Sequence, residues 1–244
     1  MTTSGSPHDV GYVRAISRQL LLGLDFLHQF ATGEYDVFSY RNYKYPRLLQ
    51  PPEFSPVKWL EGTIKDDSPP KYLTPTQRRR GLLDNANWST LVARIGDLGG
   101  AQWIGHCDEQ TVTALGLRAP ELVQQDIWDA GIDIWCLGCS LFELATNEPP
   151  FPLGVFGLAR QEIDNDHNAL IDQRLSSNGQ RGENFTNYLR ARLPNFTVDS
   201  VESLASFLLL MLQKSRQRRL SAKDLLQSPF CWMGLSIKTA VNTK

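Results

Sequence analysis

No apolar run in this sequence approaches the ~20 residues a membrane-spanning helix needs. The longest, Phe207 to Leu212, is broken by Gln213 and Lys214. The opening residues, Met1 to Pro7, lack a basic region followed by an apolar stretch, so no secretory signal is visible. Cysteine is scarce: four in 244 residues do not make a disulfide scaffold. A reducing, intracellular setting, cytoplasm or nucleus, is the expectation. An excess of one charge is lacking as well. The net charge of -1 argues against a nucleic-acid binder working through a general positive field. No internal repeat is evident. What remains is ordinary for a globular protein, with 41% hydrophobic and 21% charged residues, enough to bury a sizeable core.

The residues up to about 11 read as a flexible lead-in. Val13, Ile16, Leu20, Leu24 and Leu27, widened by Leu21 and Phe26, recur at helical spacing and predict an amphipathic helix ending near His28. Between Tyr43 and Pro75 lie seven of the fourteen prolines. Proline removes backbone donors, so this stretch predicts an extended insertion, about 43–90, without a regular helix or central strand. Arg78-Arg79-Arg80 inside it reads as a solvated charge cluster.

A short strand, Leu91 to Ile95, is expected before the turn Gly96-Asp97-Leu98-Gly99-Gly100, where glycine supplies conformations few other residues allow. Gly131 to Ala145 is apolar on nearly all sides, which places a helix in the middle of a core. Further helices are expected over Ala159–Leu175, Glu183–Leu193, Val201–Gln213 and Ser221–Gln227, the last opened by a capping box of Ser221 and Asp224. Residues 235–244 are expected to be a loose tail. Cys136 and Cys139 share the buried helix with no second ligand pair near, so they read as core rather than metal ligands. His106, Cys107 and Asp108 read as loop residues, and His167 as an exposed helix residue.

Five segments then occur in a fixed order over residues 13–232: Leu27-His28, Asp97-Leu98-Gly99, Arg118-Ala119-Pro120-Glu121, Asp133-Ile134-Trp135-Cys136-Leu137-Gly138, and Arg218-Arg219-Leu220-Ser221-Ala222 running on to Pro229-Phe230. Each alone is weak. Together they resemble the C-terminal lobe of eukaryotic protein kinases. Leu98 at the second position of its motif, Gln102-Trp103 just after it, and the insertion before it are most similar to the SR-protein-kinase branch and its fungal relatives. The resemblance implies an α+β but predominantly α-helical C-lobe over residues 12–234, with a small β element, the proline-rich insertion and no N-terminal lobe. It implies ATP and Mg²⁺ as cofactors, protein Ser/Thr hydroxyls as acceptors and Arg/Ser-rich protein substrates, with no nucleic acid or membrane partner.

The resemblance also assigns residues. Asp97 takes the place of the aspartate that holds Mg²⁺ against the nucleotide phosphates, a hard cation that wants oxygen ligands. Glu121 and Arg219 take the places of a buried ion pair that fastens the activation segment to the helical lobe. Asp133, beside Trp135 and Gly138, takes the place of an aspartate that braces the catalytic loop. The glycine-rich loop, the strand lysine and the H-R-D-x-x-x-x-N loop are not found in the 244 residues. Asp36 falls near the distance at which the catalytic aspartate would lie and is the weak candidate for it, and Asn42 is one position beyond the expected asparagine. The chain alone is therefore expected to have negligible kinase activity, as a lobe awaiting its partner lobe or as a pseudokinase-like scaffold that binds proteins.

Overall fold

Asp9 opens the first helix, α1 (Val10–Ala31), one turn earlier than the apolar spacing indicates, because its carboxylate accepts a hydrogen bond from the Tyr12 N–H at 3.0 Å. The buried face of α1 runs through Val13, Ser17, Leu21 and Leu24, whereas Phe26 and Leu22 stay exposed. The computed structural model describes residues 9–31, 55–59, 61–62, 72–73, 92–96, 98, 101–103, 113–154, 156–175 and 181–232. Two units separate by their internal contacts, one of residues 1–36 with 88–244 and one of residues 37–87.

In the larger unit the helices after α1 are α2 (Pro120–Val123), α3 (Gly131–Thr146), α4 (Arg160–Leu175), α5 (Arg181–Arg190), α6 (Val198–Met211), α7 (Ala222–Leu225) and α8 (Pro229–Trp232). α3 is the axis of this body. Ile132, Ile134, Trp135, Leu137, Cys139, Leu141, Phe142 and Ala145 are buried over most of its circumference. Asp133, Ser140 and Glu143 line one exposed stripe, so the helix expected to be apolar on nearly all sides keeps a narrow polar face toward solvent. The Asp129 carboxylate accepts from the Gly131 N–H at 2.8 Å at its start. Its end turns on Asn147, whose φ of 63° is left-handed. Pro149 and Pro150 follow.

α3 packs on α6 through a close approach at Gly138, where a Cβ would sit 3.0 Å from Leu212 Cδ2 and 3.1 Å from Met211 Cβ. α5 packs on α6, and α1 packs on α3, α7 and α8. The core is aromatic-rich: Phe142 tilts against Phe185 at 6.1 Å between centroids, and Phe207 stacks on Phe230 at 4.7 Å. Thr197 caps α6 by accepting from the Ser200 N–H, so that helix begins earlier than its apolar residues suggest. Ser221 accepts from the Asp224 N–H to cap α7, and its hydroxyl donates to the Asp224 carboxylate at 2.7 Å.

The strand expected at Leu91–Ile95 is not one. Residues 92–96 pair with no strand among the described residues. The Ala93 N–H instead donates to the Gln19 side chain on α1 at 2.6 Å, and Ile95 packs against Gly23. The described β structure lies in the smaller unit, where β1 (Ser55–Pro56) and β2 (Tyr72–Leu73) pair antiparallel with Ser55 opposite Leu73. Pro56 cannot donate to a ladder, in keeping with so short a pairing. No helix among the described residues is long and apolar enough to cross a membrane.

Candidate functional site

Arg219 is the most connected side chain of the site. It follows a 3-10 turn (Arg216–Arg218) and reaches across the body to Glu121 in the first turn of α2. Its Nη1 and Nη2 donate to Glu121 Oε1 and Oε2 at 2.5 and 2.6 Å, a two-pronged pair with side chains only 1% and 6% exposed. Nε donates to the Gln213 carbonyl at 2.8 Å, and Nη1 also donates to the Gly131 carbonyl at 3.1 Å. The guanidinium lies 5.1 Å from the Trp135 ring centroid. Every face of this cation meets an acceptor or a π-system, which offsets the cost of burying it.

Trp135 is fully buried and stacks on Phe151 at 5.6 Å with 10° between planes. Asp133, in the first turn of α3, places Oδ2 3.0 Å from His28 Nε2, joining α3 to the end of α1. Asp129 holds Arg216 at 3.0 Å while accepting from the Gly131 N–H at the start of α3. The structure thus brings Glu121, Asp133, Trp135 and Arg219 together around the start of α3, with Gly138 two turns further along. Asp97 and Asp36 lie outside the described residues, as do Asn42, His106, Cys107, Asp108 and Arg78-Arg79-Arg80.

His167 is not the exposed residue its surroundings in the sequence suggest: it is 0% exposed. Ile163, His167, Ile171 and Leu175 recur every fourth position on α4, which makes them one buried stripe, and that spacing was the available signal. The ring tilts against Phe151 at 5.9 Å. Burial, then the charge of Arg118, pull its pKa down to about 4, opposed by Asp164. Arg118 Nη2 stands 3.0 Å from Asp164 Oδ1 with both side chains buried, and Arg160 reaches Asp164 from the rim at 3.1 Å. The Arg118–Asp164 contact is a close charge pair whose angles fall short of a hydrogen bond. This cluster ties the segment leading into α2 to α4, and reading the sequence missed Asp164 and His167 as its members.

The thiols of α3 are chemically quiet. Burial, then the Asp133 charge, push Cys136 up to about 12, and burial likewise raises Cys139. Among the described residues, no group of three His, Cys, Asp or Glu side chains is placed to hold a metal ion. An open groove of about 450 Å³ runs along α4, lined by Pro152, Leu153, Ala169 and Leu170 with Asp166 at its wall.

With this geometry in view, the comparison with known families is direct. The family model for the protein kinase domain matches residues 82–231. The chain belongs to the protein kinase domain family. Among curated proteins it is similar to a serine/threonine-protein kinase SRPK of Physarum polycephalum, 27% identical over 89% of this chain and 60% of that protein. It is also similar to mitogen-activated protein kinase 11 of Arabidopsis thaliana, 32% identical over 61% of this chain and 42% of the relative. The serine/threonine-protein kinase SKY1 of Saccharomyces cerevisiae is 27% identical over 60% of this chain and 23% of its own length. The chain thus spans 60% or less of these relatives.

Proposed function

We propose that this chain is the helical lobe of a serine/threonine protein kinase of the SR-protein-kinase branch, and that its 244 residues by themselves form a protein-binding platform without phosphoryl-transfer activity. The observation that carries this reading is a contrast. The Arg219 anchor around Glu121, Gly131 and Trp135 is complete. The glycine-rich loop, strand lysine and H-R-D loop are not in the sequence. Kinase catalysis is almost wholly positioning and charge stabilisation of the transferred phosphoryl group, so a chain without those parts keeps the platform and loses the clamp.

ATP and Mg²⁺ are the cofactors of the family reading. Mg²⁺ binds through one or two carboxylates together with substrate phosphates. Asp97, which the family resemblance puts at the Mg²⁺ position, would supply one such carboxylate but lies outside the described residues, among which no group of three His, Cys, Asp or Glu side chains is placed to hold a metal ion. No step of the transfer is therefore assigned to them. An Arg/Ser-rich protein partner in the cytoplasm or nucleus follows from the family reading; the groove along α4 contributes one carboxylate, Asp166, beside apolar Leu153 and Leu170.

Calorimetry of Mg-ATP against the purified chain, with Asp97→Ala as control, tests the reading, alongside phosphate transfer to an Arg/Ser-rich peptide. The expected result is neither binding heat nor transfer. Saturable Mg-ATP binding that Asp97→Ala abolishes, together with transfer, would overturn the platform reading in favour of a working kinase.

A further inference from the structure

Two arginines of α1, Arg14 and Arg18, lie over aromatic rings rather than beside carboxylates, as Arg174 does over Tyr188. Arg118, Arg160, Arg190, Arg192, Arg216 and Arg219 each face an Asp or Glu within ion-pair distance. Arg14 and Arg18, one helical turn apart and so on one face, have no such carboxylate among the described residues; both lie instead over the aromatic rings of α8. The Arg14 guanidinium is 5.2 Å from the Phe230 ring centroid, and that of Arg18 is 4.9 Å from Trp232. In each, Nε is buried without a hydrogen-bond partner.

Burial lowers the pKa of Arg14, as it does for a cation withdrawn from water, and the one group acting against that is the Cys231 thiol. That thiol is itself held up to about 11 by burial, so it stays neutral and supplies no counter-charge. A π-face satisfies a guanidinium from one side and leaves its edge donors open. Beside them Trp232 is 43% exposed, with its indole fixed by donating to the Leu226 carbonyl at 2.6 Å. The surface therefore offers two fork-shaped cationic donors next to a fixed, half-exposed aromatic plane.

We infer that this α1–α8 face, built by Arg14, Arg18 and Trp232, is a docking surface for an acidic peptide segment of a partner protein. The charges select an anion, and the paired donors of each guanidinium match a carboxylate. The indole adds a seat for an apolar side chain between or beside the acidic ones. The inference is independent of any nucleotide chemistry in the chain.

The probe is a fluorescein-labelled oligoglutamate peptide, followed by fluorescence polarisation on the full chain, with a Gly/Ser peptide as control. Binding is expected to weaken with added salt and to fall by about tenfold or more in the Arg14→Gln, Arg18→Gln double variant. Equal binding of the Gly/Ser peptide, or an unchanged affinity in the double variant, would overturn the proposal. Tighter binding of an oligouridylate that displaces oligoglutamate would also overturn it, since the site would then be one for nucleic acid. Should the double variant not fold, the parent chain decides: a photoreactive oligoglutamate is expected to label residues 14–18 or 230–232, and labelling elsewhere refutes the site.

Discussion

Acidification probes the Arg118–Asp164–His167 cluster directly. His167 is 0% exposed, and burial followed by the Arg118 charge lowers its pKa to about 4. In an unfolded chain the imidazole titrates near ~6.5. The folded value lies below the unfolded one, so on acidification the unfolded chain takes up the proton first. The stability tied to a neutral His167 is fully present above about pH 6.5 and is lost as pH falls from there toward about 4. Between about pH 7.5 and about pH 5 this linkage amounts to about 2 kcal/mol, and below about pH 4 to about 3 kcal/mol. Surface carboxylates also titrate in that range, so the informative quantity is a difference. Urea unfolding followed by tryptophan fluorescence at the two pH values, for the parent and for His167→Leu, supplies it. The parent is expected to lose about 2 kcal/mol more than the variant on acidification. Parallel losses in the two proteins would refute the argument that the imidazole is buried neutral in the folded state.

Two further outcomes follow from contacts in the same body. Arg219→Ala leaves the buried Glu121 carboxylate without its cation, and is expected to cost ~3–5 kcal/mol in urea unfolding. A loss below about 1 kcal/mol would mean that water reaches the pair. Gly138→Ala puts a methyl 3.0 Å from Leu212 Cδ2 and 3.1 Å from Met211 Cβ, so ~1–3 kcal/mol of overpacking is expected, read as a lower melting temperature. An unchanged melting temperature would show that α3 and α6 part at little cost.

The elements most legible in the sequence were those whose apolar pattern leaves no choice. α3 is apolar over most of its circumference, with Asp133, Ser140 and Glu143 confined to one exposed stripe, and its ends are marked by Asp129, Asn147 and two prolines, so its bounds follow from local chemistry. α1 and α6 were read a turn short at the start, because a capping residue rather than an apolar one sets the first turn: Asp9 for one, Thr197 for the other. Val92 to Ile95 has the composition of a strand, but a strand needs a partner edge, and the segment spends a backbone donor on Gln19 instead. His167 was misread because a histidine among Asp, Asn and Gln resembles a solvated face until the four-residue spacing of Ile163, Ile171 and Leu175 is counted. The Glu121–Arg219 contact spans 98 residues, and only the family resemblance suggested it, since no local pattern reports on such a distance. Asp97, on which the nucleotide reading turns, lies outside the described residues.

The four attachments of Arg219 bear on how the body opens. One guanidinium joins α2 through Glu121, the first residue of α3 through the Gly131 carbonyl, the segment after α6 through the Gln213 carbonyl, and the middle of the core through Trp135. None of these pieces can swing out alone without stranding a buried charge or an unpaired carbonyl. Local openings that elsewhere let amide protons exchange one helix at a time are here coupled into a single event. The short α2 segment, four residues with little helix stability of its own, therefore borrows the persistence of α3 and α6, and its amides should be as slow to exchange as theirs.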